Sequence, residues 1–229
     1  MLKRFAMELL RTQGWLATVP DNFAVAVLSQ CDLITLQRGQ TFYSAGDEGG
    51  GIYGVAAGRL EIHVPSIGDR PTLTHISGVG AWFGDIGAFG DGERKVSIIV
   101  DADTKLMRLS RSCMQRITEQ DPAAWQHFSK LLAINFSMAI AIIAALRNDT
   151  PLQRVSATLL NLVGADPHKP GFVPVSQIDI GAIVNASRST VNLALEKLES
   201  IGAIRRHYGE IEIINLRTLR QILSFSNVV

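Results

Sequence analysis

The chain has 229 residues and a mass of 24.9 kDa, enough for one large domain or two small ones with real cores. Its 22 Lys and Arg against 21 Asp and Glu leave a formal charge of +1, which excludes a polybasic, histone-like protein but not a localised basic patch. A composition 47% hydrophobic and 19% charged is that of a folded chain, and two cysteines, Cys31 and Cys113, are too few for a disulfide framework or a four-cysteine metal site.

The N-terminal residues 1–16 have the pattern of a short amphipathic helix, without the apolar run or small-residue cleavage site of a signal peptide. From Leu33 to Leu109 the chain is predicted to form strands. Ile52–Val55, Leu60–Val64 and Val96–Val100 are short, rich in β-branched residues and set off by Gly, Asp or Pro. Most of the 20 glycines fall between Gly39 and Gly92, so turns are closely spaced, as in a compact β-roll. Gly58, between two of the runs, is expected in a tight hairpin that needs positive φ.

Asp121-Pro122 is a helix start, and nothing breaks the helix before Arg147. Trp125, Phe128, Leu131, Asn135, Met138, Ile142 and Ala145 recur at spacings of three and four, the spacing of a helix seam. Leu132, Ile134, Phe136, Ile140 and Ile143 make the helix apolar on most other sides. One face is expected to cover the strands and another to meet the same helix of a second copy, with Phe128, Leu131, Leu132, Asn135, Met138, Ile142 and Ala145 at the interface. A wholly intramolecular core helix is the alternative. The charge-free run Leu131–Leu146 is shorter than the ~20 apolar residues of a membrane span and contains Asn135 and Ser137, so no span is expected.

Asn148-Asp149-Thr150-Pro151 punctuates the chain as a hinge. Pro151 to Val163 is a new amphipathic helix, with Leu152, Val155, Leu159, Leu160 and Val163 on its apolar side, and a polar loop follows to Pro174. Ser176 and Asp179 make a capping-box-like pair at the start of a short helix whose expected buried stripe is Ile178, Ala182 and Ile183. Asn185-Ala186-Ser187 is a turn. A second helix starts at Arg188, with Val191, Leu195 and Leu198 inward. Two short helices on a tight turn are a helix-turn-helix, and the N-terminal residues of its second helix face the bases of the DNA major groove. Here those are Ser187, Arg188, Ser189, Thr190 and Asn192, with Lys197 also outward. Arginine suits guanine and asparagine suits adenine, while hydroxyls bind phosphate or base.

Ala203–Arg206 and Ile211–Ile214 then flank a turn at residues 207–210, the wing of a winged helix, from which Arg205, Arg206 and His207 can reach phosphates. From Pro151 onward there are 8 Lys and Arg against 6 Asp and Glu, a small asymmetry of the right sign. A winged helix that contacts a protein instead of DNA is the alternative. No P-loop, nucleophile elbow, HExxH or dinucleotide fingerprint is present, so no enzyme is expected.

In this order, a β-roll, a long helix and a winged helix resemble the Crp/Fnr family of bacterial transcription regulators, over residues 20 to 225. Ile180–Glu199 carries the most specific part, with Ser187, Arg188, Thr190 and Val191 close to the family pattern. Gly39, Tyr43–Asp47, Tyr53, Val55, Gly58 and Phe83–Gly87 match the roll signature. The resemblance implies a base-reading Arg188, Ser176 and Gln177 near backbone phosphates, and RNA polymerase as a further partner. Ser189 stands where catabolite-activator-like members carry Glu, and Leu193 where they carry a second Arg, so their half-site does not carry over. The cyclic-nucleotide cassette of the family opens Gly-Glu and closes Arg-Ser/Thr-Ala. Gly84, Asp85, Arg94, Lys95 and Ser97 occupy that stretch here as candidate effector residues, with Arg94 and Lys95 as solvated hairpin residues the alternative. The adenine-reading Thr-Ser pair falls at Ala139 and Ile140. Cyclic AMP is therefore not the expected effector. Two cysteines cannot hold the family's iron–sulfur cluster, and His63, His75 or Met107 lack the setting of haem ligands.

The expected architecture is α+β: a cyclic-nucleotide-binding-like β-roll over 1–120, a dimerisation helix over 121–148 and a winged helix-turn-helix over 149–229. The expected function is that of a cytoplasmic, homodimeric, sequence-specific DNA-binding regulator. The alternative is a small-ligand sensor whose winged helix meets a protein.

Overall fold

The computed structural model describes residues 2–66, 71–90, 92–163 and 171–224. The chain packs into two units, Met1–Pro71 with Ile76–Ser137, and Thr72–His75 with Met138–Val229. Helix α1 (Leu2–Thr12), a 3₁₀ turn at Trp15–Thr18 and helix α2 (Asp21–Ser29) come first. Strands β1 (Asp32–Leu36), β2 (Thr41–Tyr43), β3 (Gly51–Val64), β4 (Thr72–Ser77) and β5 (Trp82–Phe83) follow. A short helix α3 (Asp85–Phe89) precedes β6 (Ser97–Ser110), after which come helices α4 (Arg111–Gln120) and α5 (Ala124–Leu146). The sheet order is β1-β6-β3-β4, with β2 also on β6 and β5 on β3.

The frame of the roll is the antiparallel pair β3–β6, from Gly51 opposite Ser110 to His63 opposite Ser97. Period-two alternation divides its side chains between two cores. Tyr53, Val55 and Leu106 join Phe83, Ile98 and Val100 in one. Ile52, Met107 and Leu109 join Trp15, Phe23, Phe128 and Leu131 in the other.

Gly58 lies inside β3 and not in the expected hairpin. The β3–β6 register shifts on both sides of Ala57, so the two apolar runs are one strand with a bulge. Its φ is +86°, and a Cβ there would collide with the Asp103 carbonyl, so both backbone and packing require glycine.

Helix α5 begins at Ala124, after Asp121 has accepted the Ala123 N–H at 3.0 Å. The seam expected to meet a second copy faces the chain's own core instead. Phe128 is fully buried with rings of Trp15, Phe23, Phe89 and Trp125 around it, and Leu131 and Ala145 are buried too. Asn135, Met138 and Ile142 are half-buried, and only Leu132 of the expected set is exposed. The open apolar stripe is Leu132, Phe136, Ile140 and Ile143, 40–66% exposed. It is turned by about one residue, or roughly 100°, from the expected one. A helix apolar on most sides satisfies the three-four spacing in more than one register, and the aromatic cluster selects the face that turns inward.

In the second unit, helix α6 (Pro151–Leu162) starts from a capping box in which Thr150 and Gln153 satisfy each other's backbone N–H. The expected hinge before it is tied down. Arg154 donates to the Asn148 and Asp149 carbonyls at 3.1 and 3.3 Å, and Asn148 donates back to Ala144 and Ala145. Of the polar loop, residues 164–170 lie outside the described residues, and its end forms strand β7 (Phe172–Val173). Helices α7 (Gln177–Val184) and α8 (Arg188–Ser200), strands β8 (Ile204–His207) and β9 (Glu210–Ile213), and helix α9 (Leu216–Ser224) complete the chain, with sheet order β7-β9-β8.

The core of this unit is built from Val155, Leu159, Ile180, Val184, Val191, Leu195, Leu198, Ile211, Ile213 and Leu219. On α7 the buried stripe is Ile180, Gly181, Ile183 and Val184. Ile178 and Ala182, four apart and expected inward, are exposed on the other side. The apolar-rich helix again offered two stripes.

Candidate nucleic-acid interface

The turn between α7 and α8 is held by three local devices. Ser176 caps α7 by accepting from Asp179 N at 3.2 Å, and Asp179 accepts from Ser176 N at 3.0 Å. Asn185 ends α7 with φ of 51°, and among the described residues it alone, glycines aside, has positive φ. Ala186 N then donates to Gly181 O at 2.9 Å, and a Cβ on Gly181 would sit 2.9 Å from the Ala186 carbonyl, so glycine lets the turn close. Ser187 caps α8, accepting from Thr190 N at 3.2 Å, with its Oγ also 2.9 Å from Ser189 Oγ and 2.8 Å from Thr190 Oγ1. A groove of about 400 Å³ runs along this turn, lined by Gln177, Ile178, Gly181, Ala182, Ser187 and Arg188.

The expected contact residues fall into two groups. Arg188, Ser189 and Lys197 are exposed along α8, and Arg188 and Lys197 have no partner among the described residues. Ser176, Gln177 and Thr190 are half-buried beside them, with Ser187 exposed at the cap. Asn192 and Arg206 are instead tied to each other. Asn192 donates to Glu196 at 2.7 Å and accepts from Arg206 Nη1 at 3.0 Å. Glu199 takes both the Arg206 backbone N–H (2.9 Å) and Nε (2.8 Å), and these hydrogen bonds hold its carboxyl below the usual range. The network fixes the hairpin against α8, so neither side chain is free as the sequence suggested.

The wing turns through Tyr208 and Gly209, the latter at φ +75°, and Tyr208 stands fully exposed at the tip. Arg205 (3.2 Å) and His207 (2.9 Å) share Glu212, whose carboxyl is lowered chiefly by the His207 hydrogen bond. Both remain exposed.

The candidate effector residues of the roll are brought together only in part. Arg94 is 3% exposed, not a solvated turn residue. Its Nη1 donates to Gly84 O at 3.0 Å and Gly51 O at 3.3 Å, its Nη2 to Gly51 O at 3.2 Å and Tyr53 Oη at 3.4 Å. The guanidinium lies 4.5 Å over the Tyr43 ring, and burial pushes the Tyr43 phenol upward. Gly84 has φ +92°, and a Cβ on it would meet Arg94 Nη1 at 2.8 Å. Asp85 is 5% exposed and burial raises its carboxyl. Its Oδ1 accepts from Asn135 Nδ2 at 2.9 Å, and the same amide donates to Trp82 O at 3.0 Å. Asp85 Oδ2 and Arg94 Nε are buried without partners among the described residues. Lys95 lies outward beside Glu93 at 3.1 Å, and Ser97 Oγ accepts from Ala45 N at 3.0 Å.

Sequence reasoning missed Asn135 as a partner of Asp85 and Glu199 as the clamp on Arg206. A polar residue in an otherwise apolar helix was a signal for the first. The second links a helix to a hairpin, and no spacing reveals it.

Residues 33–121 match the model of the cyclic nucleotide-binding domain, and residues 153–222 that of the Crp-like helix-turn-helix domain. The cyclic AMP receptor protein of Thermus thermophilus is 27% identical over 188 residues, covering 81% of this chain and 85% of that protein. A CRP-like cAMP-activated global transcriptional regulator of Mycobacterium tuberculosis is 25% identical, with 86% and 91% covered. Among solved structures, FixK2 from Bradyrhizobium japonicum superposes with a TM-score of 0.70 at 20% identity, over 83% of this chain and 96% of its own. A CRP/FNR-family transcriptional regulator from Thermus thermophilus gives 0.62 at 21%, over 84% and 98%. These two likenesses establish the fold.

Proposed function

The chain belongs to the Crp/Fnr family of transcription regulators, with a helix-turn-helix DNA-binding domain, and from that premise we propose that it reads duplex DNA as a cytoplasmic homodimer without cyclic AMP as its effector. The observation that carries the reading is the N-terminal turn of α8, capped by Ser187, with an exposed Arg188 at its first position that has no partner among the described residues. A guanidinium there can make a bidentate contact to guanine, and the positive end of the helix favours phosphate nearby. Arg205, His207 and Lys197 flank it as backbone contacts, while Arg206 and Asn192 hold the wing in place.

The open stripe Leu132, Phe136, Ile140 and Ile143 supports the homodimer, since an apolar face of this length on a helix asks for a cover. By length and composition alone α5 also passes for a membrane helix. Its other side is committed to the aromatic core and to Asp85, which supports a helix between copies. Two winged helices would then address half-sites about one turn of DNA apart, ~34 Å.

Two of the relatives named above are a cyclic AMP receptor protein and a cAMP-activated regulator, but the cassette here supports a different setting. Arg94 is already engaged by two backbone carbonyls, Asp85 by Asn135, and Ala139 and Ile140 have no side-chain hydrogen bond to offer a base. A phosphate would have to take the arginine from both carbonyls.

A salt titration of duplex binding tests the reading. Neutralisation of about six phosphates predicts a loss of about 10³ in affinity between 50 and 200 mM salt. A shallow dependence would favour the winged helix as a protein-contact module.

A further inference from the structure

The outward side of α8 carries one side chain that base hydrogen bonding does not use. Leu193 is 66% exposed, while Val191, Ala194, Leu195 and Leu198 fill the core from the opposite side of the helix. A lone surface leucine needs no explanation in itself. Its place does. Ser189 and Lys197, four residues before and after, share its stripe, and Arg188 opens the helix one turn away. Long side chains on a helix lean toward its N-terminus, so the isobutyl group covers the turn that bears Ser189, the end that enters the groove. The nearest amide suited to reading a base, that of Asn192, is occupied at both its oxygen and its nitrogen.

We propose that Leu193 is a specificity-determining residue that packs on the C5-methyl group of a thymine in each half-site. That methyl is the apolar group the major groove displays, and a hydrogen-bonding side chain gains nothing from it. Leucine would bury an alkyl surface against it and exclude water from both. The preference differs in kind from that of an arginine at the same place, which seeks the acceptors of guanine. This inference rests on the reading of α8 as the groove helix.

The experiment uses the full chain and the duplex it enriches from a random pool. Each thymine is replaced in turn by deoxyuridine, which keeps the base pair and removes only the methyl group. Wild-type affinity should fall about fourfold at one position in each half-site, the effect of losing one buried methyl. Leu193→Ala should bind the unmodified duplex more weakly and be indifferent to deoxyuridine at that position. The proposal is overturned if the wild type tolerates deoxyuridine at every position, or if Leu193→Ala is as sensitive as the wild type. An enriched duplex without methyl sensitivity sinks the role of Leu193 alone. Failure to enrich any sequence sinks the groove reading and this inference together.

Discussion

Arg188 and Arg206 carry the same side chain, and their surroundings give them different work. Arg188 projects from the first turn of α8 with no partner among the described residues, whereas Arg206 is spent on Glu199 and Asn192. Replacing Arg188 by Ala should cost about 1–3 kcal/mol of binding and relax preference at one base position. Affinity measured across single-base variants of the site checks this. A uniform loss for all sequences would make Arg188 a phosphate contact and nothing more. The sequence marked both arginines as outward contacts, because which acidic residue answers a hairpin arginine depends on tertiary placement. The cap at Ser176 was legible, since Ser and Asp three apart serve each other locally. Arg94 was not: a charged residue beside a turn is ordinarily solvated, and here the carbonyls of Gly51 and Gly84, the Tyr53 hydroxyl and the ring of Tyr43 hold it inside.

At the scale of elements, period two was read more safely than period 3.6. The three strand runs named in the roll fall on β3 and β6, and the wing strands, α6 and the two helices of the turn stand where the sequence put them. A bulge, however, merges two runs into β3, and the third continues to Ser110 as β6. The buried faces of α5 and α7 differ from the expected ones for one reason: an apolar helix has more than one candidate stripe, and the choice is made by what packs on it. For α5 the difference is testable. Phe136→Asp, on the open stripe, should leave the fold intact and shift the protein from dimer to monomer in sedimentation equilibrium. An unchanged dimer would mean that the copies meet elsewhere. The same substitution at Phe128 would unfold the chain, since truncating a fully buried Phe even to Ala costs about 3–5 kcal/mol.

For the whole molecule, two buried titratable groups set opposite dependences of stability on pH. His75, buried beside Ile142, Ala145, Thr158 and Ile183, has its pKa lowered from 6.5 to about 4 by desolvation. The folded value lies below the unfolded one, so its contribution is full above pH 6.5 and is lost as pH falls toward 4. Asp85 is raised by burial, so its contribution is present at low pH and lost as pH rises through the folded value. Urea midpoints of the wild type and His75→Gln, compared from about pH 7.5 down to 4.5, should converge because the wild type loses stability that the variant does not. Parallel curves would contradict a neutral, buried His75. Sequence reading of DNA by the ligand-free chain is tested most directly by selection from random duplex DNA with the purified protein, followed by sequencing. Enrichment of an inverted repeat with half-sites about one helical turn apart is expected, unchanged when cyclic AMP is added. Enrichment that appears only with cyclic AMP, or no enrichment by a folded dimer, would contradict it.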